Sequence, residues 1–162
     1  MGSTACLSKW NCFSFKFLRK VCSLRHVSFL SAQENLSTFT KQVHGDLPYG
    51  RLTPMNMYQC FLDLQVWPAH AVVKVENIGV GIDEGREAGC WTVAVTLSGN
   101  EAGVTPEQLA AMSDEEVQKL RARASDVLGR HRPDYIIDTV ADLLPVLNDI
   151  EQRLVNGERP KG

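Results

Sequence analysis

Residues 72–89, VVKVENIGVGIDEGREAG, constrain the fold of this chain most strongly, because the pattern changes there from a buried strand to a glycine-rich turn and then to a short helix. Residues 71–75 are nearly all apolar, as in a strand buried on both faces of a parallel sheet. The helix is predicted over residues 82–88 and ends at Gly89. Such a turn places backbone N–H groups and a helix N terminus at the carboxyl end of a strand, where α/β proteins bind phosphates and metals.

Beyond residue 51 the chain alternates helical patterns with short apolar strands, which predicts an α/β fold. The expected order is α-β-α-β-α-β-α, with a parallel sheet of about three strands and flanking helices joined by right-handed connections. The expected elements are a helix from Thr53-Pro54 to the turn at Trp67-Pro68, a strand at 71–75, a helix at 82–88, a strand at 91–95, helices from Thr105 and from the Ser113 capping box to about Leu128, a strand at 135–137 and a final helix capped by Asp138 and Thr139.

Charge is distributed unevenly along the chain. Residues 1–33 contain five basic residues and no acidic residue, so the rest of the chain holds 12 of the 17 basic residues and all 19 acidic residues. The resulting net charge of −7 on this larger part argues against a nucleic-acid-binding surface. No apolar run approaches the roughly 18 residues of a membrane-spanning helix, so neither nucleic acid nor a membrane is expected as a partner.

The basic, serine-rich and acid-free N-terminal stretch has the composition of a mitochondrial transit peptide. An extension without fixed structure, or a segment joined to the chain spuriously, explains that composition equally well. We therefore expect a cytoplasmic or mitochondrial protein with an extension over residues 1–40 and one domain beyond it. The five cysteines form no C-x-x-C pair, which favours a reducing compartment over a disulfide framework or a zinc site.

Three glycines of the turn form the pattern Gly79-x-Gly81-x-x-x-Gly85, which is close to a dinucleotide-binding fingerprint. The acidic residue expected at the end of the next strand is absent, since residues 92–98, TVAVTLS, contain no carboxylate. The alternative interpretation is a structural strand-to-helix turn without a ligand.

Several other side chains have both a functional and a structural interpretation. Arg51 precedes a helix N terminus, where a guanidinium and free N–H groups can hold a phosphate or a small phosphonate; alternatively it is a solvated surface residue. Lys74 lies inside an apolar strand, so its amine needs a carboxylate partner or the end of the sheet. Asp83 begins a helix, where an acidic residue interacts favourably with the helix dipole. Cys60 and Cys90 have no evident basic partner and are expected to be small buried hydrophobic residues rather than nucleophiles.

Four segments within residues 43–160 carry a resemblance to a known family. Residues 46–51, DLPYGR, are similar to the family's D-V-P-A-G-R, and residues 74–93 are similar to its K-V-G-D-T-x-x-D-x-x-x-G-x-x-A-G-M-W-T-V. Residues 98–101, SGNE, and 134–138, DYIID, also match in the same order and spacing. The chain thus resembles phosphonoacetaldehyde hydrolase (phosphonatase), a member of the haloacid dehalogenase superfamily.

This resemblance implies a Rossmann-like core with an inserted helical cap, and magnesium-dependent cleavage of the C–P bond of phosphonoacetaldehyde into acetaldehyde and phosphate. It assigns phosphate binding to Arg51. Asn77 and Gly81 fall at the two aspartates of the family's G-D-T-x-x-D motif, which hold magnesium, a cation that requires anionic oxygen ligands. An asparagine carbonyl coordinates magnesium weakly, and a glycine offers no donor. Glu76 and Asp83 flank these positions and would reach the ion only through a shifted loop, so we expect magnesium binding to be weak or lost.

The family's nucleophilic aspartate, in a D-x-A-G-T segment, and the Schiff-base lysine of its cap have no counterpart in this sequence. The resemblance therefore covers the C-terminal half of the core only, and we expect a truncated or diverged protein that is not a catalyst by itself. Two alternatives are an active hydrolase completed by another subunit and a non-catalytic module that binds phosphate or a nucleotide.

The strand at 71–75 would lie at an exposed edge of the sheet without the first strand of the family's core, and such an edge tends to pair with other chains. Three outcomes are open: a homodimer through this edge, coverage of the edge by residues 1–40, or a fragment that folds poorly.

Overall fold

One mixed sheet of five strands organises the computed structural model, which describes strands at 17–20 and 27–29 together with residues 53–64 and 66–162. The strands are β1 (Phe17–Lys20), β2 (Val27–Phe29), β3 (Val72–Glu76), β4 (Trp91–Val95) and β5 (Tyr135–Ile137). Their order across the sheet is β2-β1-β3-β4-β5. Strands β3, β4 and β5 are parallel, whereas β1 is antiparallel to both β2 and β3.

The described α-helices are α1 (Met55–Leu64), α2 (Gly79–Glu87), α3 (Pro106–Ala111), α4 (Asp114–Gly129) and α5 (Leu143–Val155). Short 3-10 helices at Ala69–Ala71 and Val140–Asp142 precede β3 and α5. Thr105 and Ser113 cap α3 and α4 through capping boxes; the one at Ser113 and the helix start at Thr105 are as the sequence predicts. Within the described residues, no helix is long and apolar enough to cross a membrane.

Helices cover both faces of the parallel part of the sheet. On one face, a single cluster joins the sheet to α5: Val73, Val75, Trp91, Val93, Val95, Ile137, Leu143 and Ile150. On the other face, two clusters join the sheet to α1, and to α2 and α4: Met57, Phe61, Val66, Val72, Ala88 and Cys90 in the first, and Ile82, Ala94 and Leu128 in the second. Every residue of β3 and β4 is buried, which explains why their sequences do not alternate between apolar and polar residues.

The prediction of three parallel strands is confirmed, and β4 and β5 have the expected bounds. Strand β3 begins and ends one residue later than expected, and α2 begins three residues earlier than expected, at Gly79. Because glycine is a weak helix former, Gly79 and Gly81 hide the first turn of α2 in the sequence pattern.

Strand β1 lies along the edge of β3, a contact that the strand pattern beyond residue 51 did not predict. The residues in register are Phe17 with Lys74, Leu18 with Val73, and Arg19 with Val72. This pairing provides partners for backbone N–H and C=O groups that would otherwise be unpaired at the edge of an apolar strand. Of the three outcomes considered for this edge, the structure contains the second, coverage by the N-terminal stretch. A homodimer through the edge and a targeting role of residues 1–40 stay predictions.

Candidate functional site

The candidate site lies at the carboxyl edge of β3, β4 and β5. Glu76 is in register with Ala94, and the last residues of β4 and β5 are in register with each other, so the parallel strands end close together. The loops that follow β3 and β4 are in contact, since a Cβ atom added to Gly99 would lie 2.8 Å from Cβ of Asn77. In open α/β sheets, this edge is where ligands usually bind.

The loop after β5 is held by an ion pair. Arg121 of α4 donates through Nε to both carboxylate oxygens of Asp138, at 2.8 Å each. The hydroxyl of buried Thr96 lies 3.1 Å from Oδ1 of Asp138 and 3.1 Å from the carbonyl oxygen of Ile137. The hydrogen bond from Arg121 lowers the pKa of Asp138 below its ordinary value. Asp138 therefore stabilises the β4–β5 side of the edge.

Glu76 supplies the carboxylate of the loop after β3. Its side chain is 6% exposed, and Oε1 accepts a hydrogen bond from the backbone N–H of Asn77 at 3.0 Å. The carboxylate lies over Gly81 of α2, where an added Cβ atom would be 2.3 Å from Oε2 of Glu76. A side chain at position 81 would need the space that Glu76 occupies, so the Glu76 side chain would have to move.

The other two glycines of the pattern are also covered by side chains. A Cβ atom at Gly79 would lie 2.0 Å from Nε2 of His131. A Cβ atom at Gly85 would lie 2.9 Å from both Cδ of Lys74 and Cγ2 of Thr92. Close packing accounts for each glycine of the pattern, which favours the structural interpretation of this turn over a dinucleotide-binding fingerprint.

Asp83 lies on a different face of α2 from Gly81, since two residues along an α-helix are rotated by about 200°. Oδ2 of Asp83 lies 2.7 Å from Nδ1 of His131, and Oδ1 accepts a hydrogen bond from Arg86 at 3.4 Å. Arg86 also donates to the carbonyl oxygen of His131 at 3.3 Å. Asp83 is thus engaged with the loop after α4, and the structure does not bring it to the carboxylate of Glu76.

Lys74 of β3 and Glu84 of α2 form a buried ion pair, which confirms the structural interpretation of Lys74. Cys60 and Cys90 are buried, as expected for small hydrophobic residues. Burial raises the pKa of the Cys90 thiol to about 12. A thiol that stays protonated at neutral pH is a poor nucleophile, so Cys90 contributes packing rather than chemistry.

Of the four predicted site residues, two lie beside the carboxylate of Glu76. Asn77 and Gly81 both contact or adjoin the Glu76 carboxylate, whereas Asp83 has other partners and Arg51 lies outside the described residues. In the described part of the chain, no three His, Cys, Asp or Glu side chains are grouped so as to hold a metal ion. In the loop after β3, the side-chain oxygen atoms that could coordinate a metal ion are those of the Glu76 carboxylate and the Asn77 amide.

Comparison with known proteins gives no match to a protein-family model. The chain is 48% identical to the phosphonoacetaldehyde hydrolase of Vibrio cholerae serotype O1 over 111 residues, which is 68% of this chain and 41% of that protein. It is 39% identical to the phosphonoacetaldehyde hydrolase of Bordetella avium over 137 residues, which is 85% of this chain and 49% of that protein.

One solved structure is similar to this chain in both fold and sequence. The phosphonoacetaldehyde hydrolase-like protein from Oleispira antarctica matches with a TM-score of 0.69 and 35% identity, over 77% of this chain and 48% of that one. The chain spans between 41% and 49% of the length of these relatives. It is therefore a relative of the phosphonoacetaldehyde hydrolases, with part of a haloacid dehalogenase-type core.

Proposed function

We propose that this chain is a phosphonatase-like core that does not hydrolyse phosphonoacetaldehyde by itself. One observation carries the proposal: Asn77, in the loop after β3, and Gly81, in the first turn of α2, stand where the family pattern has its two magnesium-binding aspartates. Cleavage of a C–P bond leaves negative charge on the phosphoryl group, and a bound cation is the usual means of stabilising such charge. A loop that cannot hold the cation is therefore expected to lose the reaction.

The loop offers too few anionic ligands to fit magnesium. Asn77 has a neutral amide and Gly81 has no side chain, while the Glu76 carboxylate accepts the backbone N–H of Asn77. Magnesium requires a near-octahedral set of oxygen ligands that usually includes one or two carboxylates. What we expect this chain to retain is the binding of phosphate or a small phosphonate through Arg51.

The test is phosphate release from phosphonoacetaldehyde by the purified chain, with and without MgCl₂, beside the Vibrio cholerae relative as a positive control. We expect no release above the protein-free background. The variant Arg51→Gln guards against a contaminating enzyme, whose activity it would leave unchanged. Magnesium-dependent turnover by the wild-type chain that disappears in Arg51→Gln would overturn the proposal.

A second candidate is a hydrolase completed by another subunit, and it is favoured by the fraction of its relatives, 41–49%, that the chain covers. It predicts no turnover by the chain alone, but turnover after mixing with a polypeptide that bears a D-x-A-G-T segment and a lysine-containing cap. The other alternative, a non-catalytic phosphate site, applies if mixing gives no turnover. It predicts that inorganic phosphate raises the melting temperature of the wild-type chain but not that of Arg51→Gln.

A further inference from the structure

Asn56, the second residue of α1, has a buried side chain, and its amide nitrogen has no hydrogen-bond partner among the described residues. The residue is 7% exposed, so water does not solvate the amide freely. A buried donor without an acceptor is costly and rare in folded proteins. The Asn56 amide therefore has room in its function for an acceptor that the chain itself does not supply.

Asn56 belongs to the face of α1 that packs on the sheet. Asn56 and Cys60 lie one helical turn apart on this face and are both buried, whereas Tyr58 and Leu62 are 43% and 72% exposed. Side chains on an α-helix lean toward its N terminus, so the Asn56 amide is directed toward the start of α1. The unpartnered donor is thus enclosed between the first turn of α1 and the sheet.

The start of α1 lies toward the carboxyl edge of the sheet, where the candidate site is. Phe61 and Val66 pack in one cluster with Val72, the first residue of β3, and Cys90, which precedes β4, so the end of α1 lies at the opposite, amino edge. Helix α1 has 10 residues and β3 has five, which gives both elements a length of about 15 Å. Asn56, near the other end of α1, is therefore close to the carboxyl edge.

We propose that Asn56 is a ligand-binding residue, whose amide donates a hydrogen bond to an oxygen atom of a phosphate or small phosphonate at the start of α1. A helix N terminus attracts anions, and the first turn of α1 contains no acidic residue of its own to compensate it. The inference rests on the proposed function, in which this chain retains phosphate or phosphonate binding, and it adds a second residue to that site.

The experiment measures the dissociation constants of inorganic phosphate and methylphosphonate by calorimetry, without magnesium. Asn56→Leu keeps the size of the side chain but removes the donor, so both dissociation constants should rise about tenfold or more. The melting temperature of the ligand-free variant should rise, because an apolar group replaces an unpartnered buried amide. Asn148→Leu, at an exposed position of α5, is the matched control and should leave the dissociation constants unchanged.

A structural role of Asn56 predicts the reverse result, and that result would overturn the inference: a lower melting temperature in Asn56→Leu with unchanged dissociation constants. If the leucine variant does not fold, Asn56→Asp gives the same comparison, since a carboxylate removes the donor and repels the anion.

Two further outcomes separate this inference from the proposed function. Phosphate binding that is lost in Arg51→Gln but unchanged in Asn56→Leu would overturn the inference and leave the expected role of Arg51 intact. Absence of binding to the wild-type chain would overturn the inference together with that expected role. Hydrolysis of phosphonoacetaldehyde by the wild type would contradict the proposed function alone, because the dissociation constants are measured without this substrate.

Discussion

Glu84 of α2 and Lys74 of β3 form an ion pair between helix and sheet, with side chains that are 3% and 1% exposed. Gly85 adjoins this pair, because a Cβ atom there would lie 2.9 Å from Cδ of Lys74. The helix therefore approaches the strand over a glycine, with the charged pair beside it. The same approach places the first turn of α2 over the carboxylate of Glu76. The buried pair and the candidate loop are thus parts of one contact between β3 and α2.

Breaking this pair from one side is expected to be costly. In Glu84→Ala the buried Lys74 loses its carboxylate partner, and removal of one member of a buried pair typically lowers the free energy of unfolding by about 3–5 kcal/mol. The double variant Lys74→Met/Glu84→Leu removes both charges and should recover most of that loss. Urea denaturation of the three variants measures this difference. A loss below about 1 kcal/mol in Glu84→Ala would show that the pair does not hold α2 on the sheet.

The same substitution at two glycines should have opposite effects on stability. Gly85→Ala forces its Cβ atom against Lys74 and Thr92, both at 2.9 Å, and should lower the free energy of unfolding by about 1–3 kcal/mol. Gly129→Ala, at the end of α4, meets its nearest side-chain atom, Cδ1 of Ile136, only at 4.0 Å. It should raise stability by up to about 1 kcal/mol, because alanine is the better helix former. Equal shifts in the two thermal unfolding curves would contradict the packing account of Gly85.

Local patterns in the sequence predict the parallel strands and the capped helices well. Strand β4 is buried on both faces, its sequence is apolar apart from Thr92, and its bounds are as expected. The capping boxes at Thr105 and Ser113 each span four consecutive residues, so the sequence alone contains the whole motif. The resemblance to the family also predicts the type of core, which the relatives and the solved structure confirm.

The contacts that shape the candidate site depend on where distant or flexible side chains lie, which no local pattern contains. His131 covers Gly79 and pairs with Asp83 from 48 residues away, and nothing in its sequence neighbourhood signals either contact. The position of the Glu76 carboxylate over Gly81 depends on the early start of α2, which the low helix propensity of glycine hides. The pairing of β1 with β3 was only one of three open outcomes, because the basic composition of residues 1–33 is typical of an extension.

The ion pair beside the loop after β5 should make stability depend on acid pH. Arg121 lowers the pKa of Asp138, so Asp138 contributes stability above its unfolded pKa, about 3.9, and this contribution is lost as pH falls through the lower native value. Both side chains are about one-third exposed, at 34% and 33%, so solvent screening keeps this contribution small. In Arg121→Gln the fall in melting temperature between about pH 4 and pH 2 should be shallower than in the wild type.

The exposed Arg123, on the same helix, gives the matched control for this prediction. Arg123→Gln removes the same charge from the protein without touching Asp138, so its acid-unfolding curve should keep the wild-type slope. A slope that changes equally in both variants would assign the effect to net charge instead of to the pair.

Burial of Cys90 should reduce its reactivity and destabilise the fold at alkaline pH. Its pKa is raised to about 12, so the native thiol stays protonated where an unfolded cysteine, with a pKa of about 8.5, ionises. The unfolded state then binds fewer protons than the native state, and the free energy of unfolding falls as pH rises above about 8.5. For one thiol the slope approaches about 1.4 kcal/mol per pH unit, and Cys90→Ala should remove that part of the fall between about pH 8 and pH 10.

Iodoacetamide labelling followed by peptide mass analysis gives an independent measurement: Cys90 should react slowly in the native protein and rapidly in urea. Equally rapid labelling in both conditions would show that the thiol is accessible, and the contact of α1 with β3 and β4, in which Cys90 is buried, would then need another explanation.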